Sequence, residues 1–205
     1  MRKLSLGLLC LFCLISTRLH AGAFIANFLV IDAPPQAVEV FLDGVDRTGI
    51  SGIFDPATPR FYLICDQVAD TQDLGFADYF GGQLSAALAC PVLFTMVHDS
   101  DILVILLYVN GVRAFAYDSW PGYWEGAEPV PAISGLPALA QAFGVSGGEL
   151  AAILKLPYDE YPLAEDRLGA IQQVLGIPDY IFMSQAYALE MGEDLASYGF
   201  QVLRW

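Results

Sequence analysis

The stretch PVLFTMVHDSDILVILLYVNGVRAFAYDSWPGYW, from Pro91 to Trp124, decides how this chain folds. An apolar run from Pro91 to Val97 meets the polar turn His98-Asp99-Ser100-Asp101. An almost unbroken apolar run follows from Ile102 to Val109, and Asn110-Gly111 separates it from Val112 to Tyr117. Asn-Gly supplies the two positive-φ residues of a type I′ turn, whose twist matches the strands flanking it. The segment therefore reads as a three-stranded antiparallel meander over about residues 91–118. Its middle strand reads as buried on both faces. The third strand runs into Asp118-Ser119-Trp120-Pro121-Gly122-Tyr123-Trp124-Glu125-Gly126, a loop of aromatic and turn-forming residues.

Upstream, Phe24 to Ile31 reads as a strand, and Pro34-Pro35 opens a short helix over Gln36 to Leu42, with a strand there as the alternative. Gly44 to Pro59 reads as a loop and Phe61 to Cys65 as a second strand. An acidic connection, Asp66 to Asp73, supplies Asp73 as the cap of a helix whose inward stripe is Phe76, Phe80, Leu84 and Leu88. Gly81-Gly82 weakens that helix by roughly 1 kcal/mol per residue relative to Ala, so either a neighbour packs closely there or the helix bends.

Downstream the periodicity turns helical. Ser134 is placed to cap Leu136 to Phe143, and Ser146 with Glu149 forms a capping box for a helix to about Lys155. A third helix spans Leu163 to Leu175 and stops at Gly176-Ile177-Pro178, and a fourth runs from Pro178 to Met191. Phe200 to Leu203 reads as a short terminal strand. Glu125 to Pro131 has the composition of a domain joint, but the helices beyond it are too short and apolar to stand alone. The expectation is one α+β domain over residues 24–205, with a mixed or antiparallel sheet covered by helices and a helical C-terminal part.

Hydrophobic residues make up 56% of the 205 and charged ones 16%, which excludes a disordered chain. Nine Lys and Arg stand against 23 Asp and Glu. Such a surface repels phosphate backbones, so nucleic-acid binding is not expected, and a basic protein is the natural electrostatic partner. The bland reading of the same acidity is solubility for an apolar chain. Residues 1–23 carry Arg2-Lys3, an uncharged apolar segment from Leu4 to Ile15 and the Ala21-Gly22-Ala23 site of a secretory signal peptide. That segment is too short to span a bilayer, and no membrane span is expected in the mature chain. A secreted or periplasmic protein follows; a start codon assigned too far upstream, with a cytoplasmic protein beginning near Ala21, is the alternative. Cys10 and Cys13 fall within the leader. Export would permit a disulfide between Cys65 and Cys90, but if a helix crossover makes their strands parallel neighbours the two lie at opposite ends, roughly 15 Å or more apart, and two separate buried thiols are the favoured reading.

No metal-ligand series, cofactor motif or G-x-S-x-G elbow is present, and no cofactor is expected. His98 with Asp99 and Asp101 is a weak catalytic candidate, since Asx and Ser side chains also stabilise turns. Ser119 lies at the end of the third strand, on the same side as His98, and completes a weak hydrolase reading. The better candidates are Trp120, Tyr123 and Trp124 with Asp118 and Glu125, because aromatic residues on a Gly/Pro-framed loop give large contact area at low conformational cost. The alternative for those rings is packing on the helical layer. Asp159-Glu160 and Glu165-Asp166 flank a helix start, where acids complement the dipole.

His98-Asp99-Ser100-Asp101, Leu103, Tyr108, Asn110-Gly111, Tyr117-Asp118-Ser119, Pro121-Gly122-Tyr123 and the Leu-Gly-Ile-Pro at residues 175–178 resemble a bacterial domain family of hypothetical proteins, over about residues 24–191. The resemblance implies that the meander and its aromatic loop are the element such proteins share. It implies no activity, cofactor or site. The leading expectation is a non-enzymatic acidic binding module using the aromatic loop. The second is a small hydrolase-like or small-molecule-binding enzyme centred on His98.

Overall fold

The computed structural model describes residues 22–53, 60–178, 183–191 and 201–204; of the leader expected over residues 1–23, only Gly22 and Ala23 fall within them. The strands are β1 (Ile25–Ile31), β2 (Gly49–Ile53), β3 (Phe61–Asp66), β4 (Val92–His98), β5 (Ile102–Val109), β6 (Val112–Asp118), β7 (Ala132–Ser134) and β8 (Gln201–Arg204). The helices are α1 (Pro35–Asp43), α2 (Leu74–Leu88), α3 (Leu136–Phe143), α4 (Gly147–Leu154), α5 (Ala164–Leu175) and α6 (Gln185–Met191). The strands form one sheet in the order β7-β6-β5-β4-β1-β3-β2-β8, with antiparallel pairing throughout. This is an α+β fold in which β4, β5 and β6 are the expected meander.

Alternation along each strand divides the core in two. Leu29 and Ile31 of β1, Leu93 and Val97 of β4 and Leu103 to Leu107 at alternate positions of β5 face one side, against Leu139, Leu150, Leu168 and Ile171 from α3, α4 and α5. Phe28, Val30, Phe94, Leu106 and Tyr108 face the other, against Val38 and Leu42 of α1 and Phe80 and Leu84 of α2. Both faces are covered, which is why every residue of β1 is buried. No helix among the described residues is long and apolar enough to cross a membrane.

The Asn110-Gly111 turn has φ of 51° and 84°, as a type I′ turn demands. The Asp99-Ser100 turn also has positive φ at both positions, 52° and 60°, and closes with Asp101 N–H on the His98 carbonyl at 3.0 Å. At the head of α2 the Asp73 carboxylate accepts from Gly75 N–H at 2.7 Å and Phe76 N–H at 3.2 Å. Asp73→Ala is expected to lower unfolding stability by about 1 kcal/mol, measured by chemical denaturation. The glycine pair in α2 marks close packing: a Cβ on Gly81 would stand 2.4 Å from the Tyr108 ring.

Several expectations need correction. The loop expected over Gly44 to Pro59 contains β2, whose Gly-Ile-Ser-Gly-Ile sequence has little strand propensity and is held by its pairing with β3 and β8. Directly beyond Glu125 to Pro131, a stretch with the composition of a joint, β7 pairs with β6 in the same sheet. Ser134 lies in β7, and the cap of α3 is Gly135, with φ of 69°. A Cβ on Gly135 would stand 2.0 Å from the Ala114 carbonyl oxygen, so the close approach of two backbones displaces a serine cap. Residues 179–182 of the helix expected from Pro178 lie outside the described residues, and α6 begins at Gln185, where Ser184 Oγ accepts from Tyr187 N–H at 3.2 Å. Cys65 and Cys90 are separate buried thiols on opposite sides of the sheet, and burial pushes both above the ordinary thiol range, Cys90 to about 11.

Candidate binding cleft

A cleft of about 470 Å³ opens where the meander meets its aromatic loop. Strand register builds the floor. Met96 pairs with Val104, Val104 with Asp118 and His98 with Ile102, and these five side chains share one face of the sheet. Thr71, Gln72 and Leu74, at the entrance to α2, form one wall, and Trp120, Tyr123, Trp124 and Glu125 form the other. No Lys or Arg lines it among the described residues. Trp124 forms the rim, 71% exposed, while Trp120 and Tyr123 are half-buried.

The loop is held by its own polar groups. Asp118 Oδ1 accepts from Trp120 N–H at 2.9 Å, an Asx turn, and Trp120 Nε1 donates to the Ala127 carbonyl at 2.7 Å. Gly122 and Gly126 bracket the 3-10 turn at Tyr123–Glu125 with φ of 76° and 70°. The rings stack edge to face in a series: Phe24 on His98, His98 on Trp124, Trp124 on Tyr123, Tyr123 on Trp120 and Trp120 on Tyr158, with centroids 4.9 to 5.2 Å apart.

The helical layer fixes the loop from behind. Asp101 Oδ2 accepts from Tyr123 OH at 3.1 Å and Oδ1 from Tyr158 OH at 2.9 Å. The hydrogen bond to Asp101 pushes the Tyr123 phenol up, and burial followed by the same carboxylate pushes Tyr158 up to about 12. Tyr158 is positioned in turn by Arg167. This buried guanidinium donates to Tyr117 OH at 2.8 Å and to the Leu156 and Pro157 carbonyls at 3.0 and 2.8 Å, tying β6 to the segment that carries Tyr158.

The weak catalytic candidates each have another partner. His98 Nδ1 bonds Gln72 Oε1, Asp99 Oδ1 accepts from Gly22 N–H, and Asp101 holds the two tyrosines. Ser119 is buried and its Oγ accepts from Leu103 N–H at 2.8 Å. No hydrogen bond joins it to His98 among the described residues. No group of three or more His, Cys, Asp or Glu side chains able to hold a metal ion occurs among those residues either. The structure does bring Asp118, Trp120, Tyr123, Trp124 and Glu125 together on one cleft. The packing alternative holds in part, since Trp120 rests on Tyr158.

Inside this cleft Asp118 is half-buried, and desolvation pushes its carboxyl above the ordinary range against the opposing effect of the Trp120 amide. Sequence reading overlooked Gln72, Leu74, Met96 and Tyr158. Met96, Ile102 and Val104 were accessible to the period of two: the face that carries His98 also carries Met96, and pairing across the turn adds the other two. Gln72, Leu74 and Tyr158 arrive through tertiary packing, and nothing local to them signals it. Comparison with family models, with curated proteins and with solved structures finds no match to the chain.

Proposed function

We propose that this protein is a non-enzymatic binding module that captures a basic segment of a partner protein, with one lysine or arginine side chain seated in the cleft beside Asp118. One observation carries the reading: a half-buried carboxylate stands in an open cavity walled by Trp120, Tyr123 and Trp124, with Glu125 at its edge and no Lys or Arg lining it among the described residues. A guanidinium or ammonium entering there meets a carboxylate and aromatic faces together. Cation–π contact contributes about 0.5–2 kcal/mol according to desolvation. The overall charge of −14 attracts a basic partner and speeds its encounter.

A second cavity of about 260 Å³ shares Leu74, Val104 and Asp118 with the first and continues along β6 past Ala116 to Arg113. The two adjoin as one furrow with an acidic, aromatic end and an apolar middle. That shape suits an extended segment with a basic residue followed by apolar ones.

The test is calorimetric titration with nine-residue peptides that carry arginine, lysine or norleucine at one position. Arginine and lysine peptides are expected to bind at least tenfold more tightly than the norleucine peptide, with affinity falling as salt rises. Equal binding of all three removes the proposal. Acidification supplies a further readout. Burial raises the Asp118 carboxyl in the free protein, and a bound cation favours its ionised form. Affinity is therefore expected to fall as pH drops through a window lying above the ordinary aspartate value of about 3.9, with proton release on binding inside that window.

A further inference from the structure

The end of the furrow away from Asp118 carries a cation, and an irregularity in β6 puts it there. Along the meander Val104 pairs with Asp118, Leu106 with Ala116 and Leu107 with Phe115, but Tyr108 pairs with Arg113. Ala114 is therefore an extra residue on β6, a bulge that turns Arg113 from the face of Phe115 onto that of Ala116 and Asp118. There the Arg113 side chain lines the cavity and reaches α2, where Asp78 Oδ1 and Oδ2 both accept from Nη1 at 3.2 Å. Asp78 also accepts from Tyr108 OH at 3.0 Å, so the carboxylate that holds the guanidinium is itself fixed from the core. The Asp78 contact uses one nitrogen of three. Nε and Nη2 have no partner among the described residues, and the arginine side chain is 48% exposed.

We propose that the captured segment carries both charges: an extended peptide in which an acidic side chain, four residues from the lysine or arginine beside Asp118, pairs with Arg113. This rests on the cation capture argued above and adds a second charged contact to it. Strand geometry sets the spacing. Val104 and Tyr108 stand opposite Asp118 and Arg113 and are four residues apart on β5, a distance of about 14 Å in an extended strand. In an extended ligand, side chains an even number of residues apart share a face, and a separation of four covers the same distance. The side chain midway lies over Leu106 and Ala116 and is apolar. Charge makes the requirement selective. The protein's net charge of −14 repels an acid placed anywhere else on the peptide, whereas at this one position the acid meets a guanidinium with unoccupied N–H groups.

The test titrates the protein at low salt with acetylated, amidated nine-residue peptides that carry arginine at the fifth position, valine at the third and seventh and serine elsewhere. Glutamate or glutamine is then placed at the first or the ninth position. One glutamate peptide, chosen by the direction in which the ligand runs, is expected to bind about three- to fivefold more tightly than its glutamine counterpart. Glutamate at the second or eighth position, on the opposite face of the ligand, is expected to give no gain. Arg113→Gln, an exposed change, is expected to abolish the gain while the glutamine peptides keep their affinity within about twofold. Norleucine in place of the central arginine reads the Asp118 contact separately. If arginine and norleucine are distinguished but glutamate gives no gain at either end, gains equally at the second or eighth position, or keeps its gain in Arg113→Gln, this inference is overturned and cation capture stands. Peptides that do not distinguish arginine from norleucine overturn both.

Discussion

An Asp118→Asn protein is expected to bind the arginine peptide about 30-fold more weakly than the parent while remaining at least as stable at neutral pH. The first half follows from removing the carboxylate that faces a partly desolvated cation, a loss of about 2 kcal/mol or more for a close charged pair. The second half follows from the sign of the carboxyl's displacement. Burial raises it in the folded state, so its stabilising share is complete below the unfolded value, about 3.9, and is lost as pH rises through the folded one. At neutral pH the ionised form therefore opposes folding. Asparagine keeps the oxygen that accepts from Trp120 N–H and carries no charge, so the loop geometry survives. Binding lost without stability lost is the signature of a residue kept for recognition. Trp124→Ala is the matching change on the rim: its ring is 71% exposed, whereas Trp120 anchors the loop through Ala127 and Tyr158 and its removal would disturb the fold as well.

Gly81→Val, at a buried position of α2, is expected to lower stability by about 3 kcal/mol, or roughly 10 °C in thermal midpoint. The added Cβ meets the Tyr108 ring at 2.4 Å, and that ring cannot withdraw. Tyr108 is 1% exposed, lies on the central meander strand and donates its hydroxyl to Asp78 at 3.0 Å, and Asp78 also pairs with Arg113 of β6 at 3.2 Å. The gain in helix propensity from replacing glycine recovers well under 1 kcal/mol. Gly82→Ala serves as the control, because its Cβ would stand 3.2 Å from the Gly111 carbonyl and needs only a small shift. Comparable losses from both changes in a denaturant titration would mean that glycine is kept in α2 for some reason other than Tyr108.

The parts of the fold that could be read in advance are those where local chemistry is decisive. Asn110-Gly111 specifies a type I′ turn, Asp73 caps α2, Ser146 caps α4, and Gly144 and Gly176 end α3 and α5 in the left-handed conformation. The segments that escaped are held by partners distant in sequence. β2 is a glycine-rich strand made regular by β3 and β8, and β7 is three residues made a strand by β6. At the cleft, Trp120, Tyr123, Trp124, Asp118 and Glu125 announce themselves as an aromatic loop with acids. The two turn acids Asp99 and Asp101 look like a catalytic cluster beside His98, but Asp99 accepts from Gly22 N–H and Asp101 holds Tyr123 and Tyr158. A polar cluster at a tight turn has the same sequence whether it fastens neighbours or performs chemistry; only its hydrogen-bond partners separate the two.

Capture of a cation beside Asp118 is tested most directly by a double-mutant cycle that crosses Asp118→Asn in the protein with arginine→norleucine in the peptide, read by calorimetry at neutral pH and low salt. A coupling free energy of about 1.5 kcal/mol or more is expected, because each change alone removes the same contact and the second then costs little. Additive losses, with no coupling between the carboxylate and the ligand's charge, would contradict the assignment.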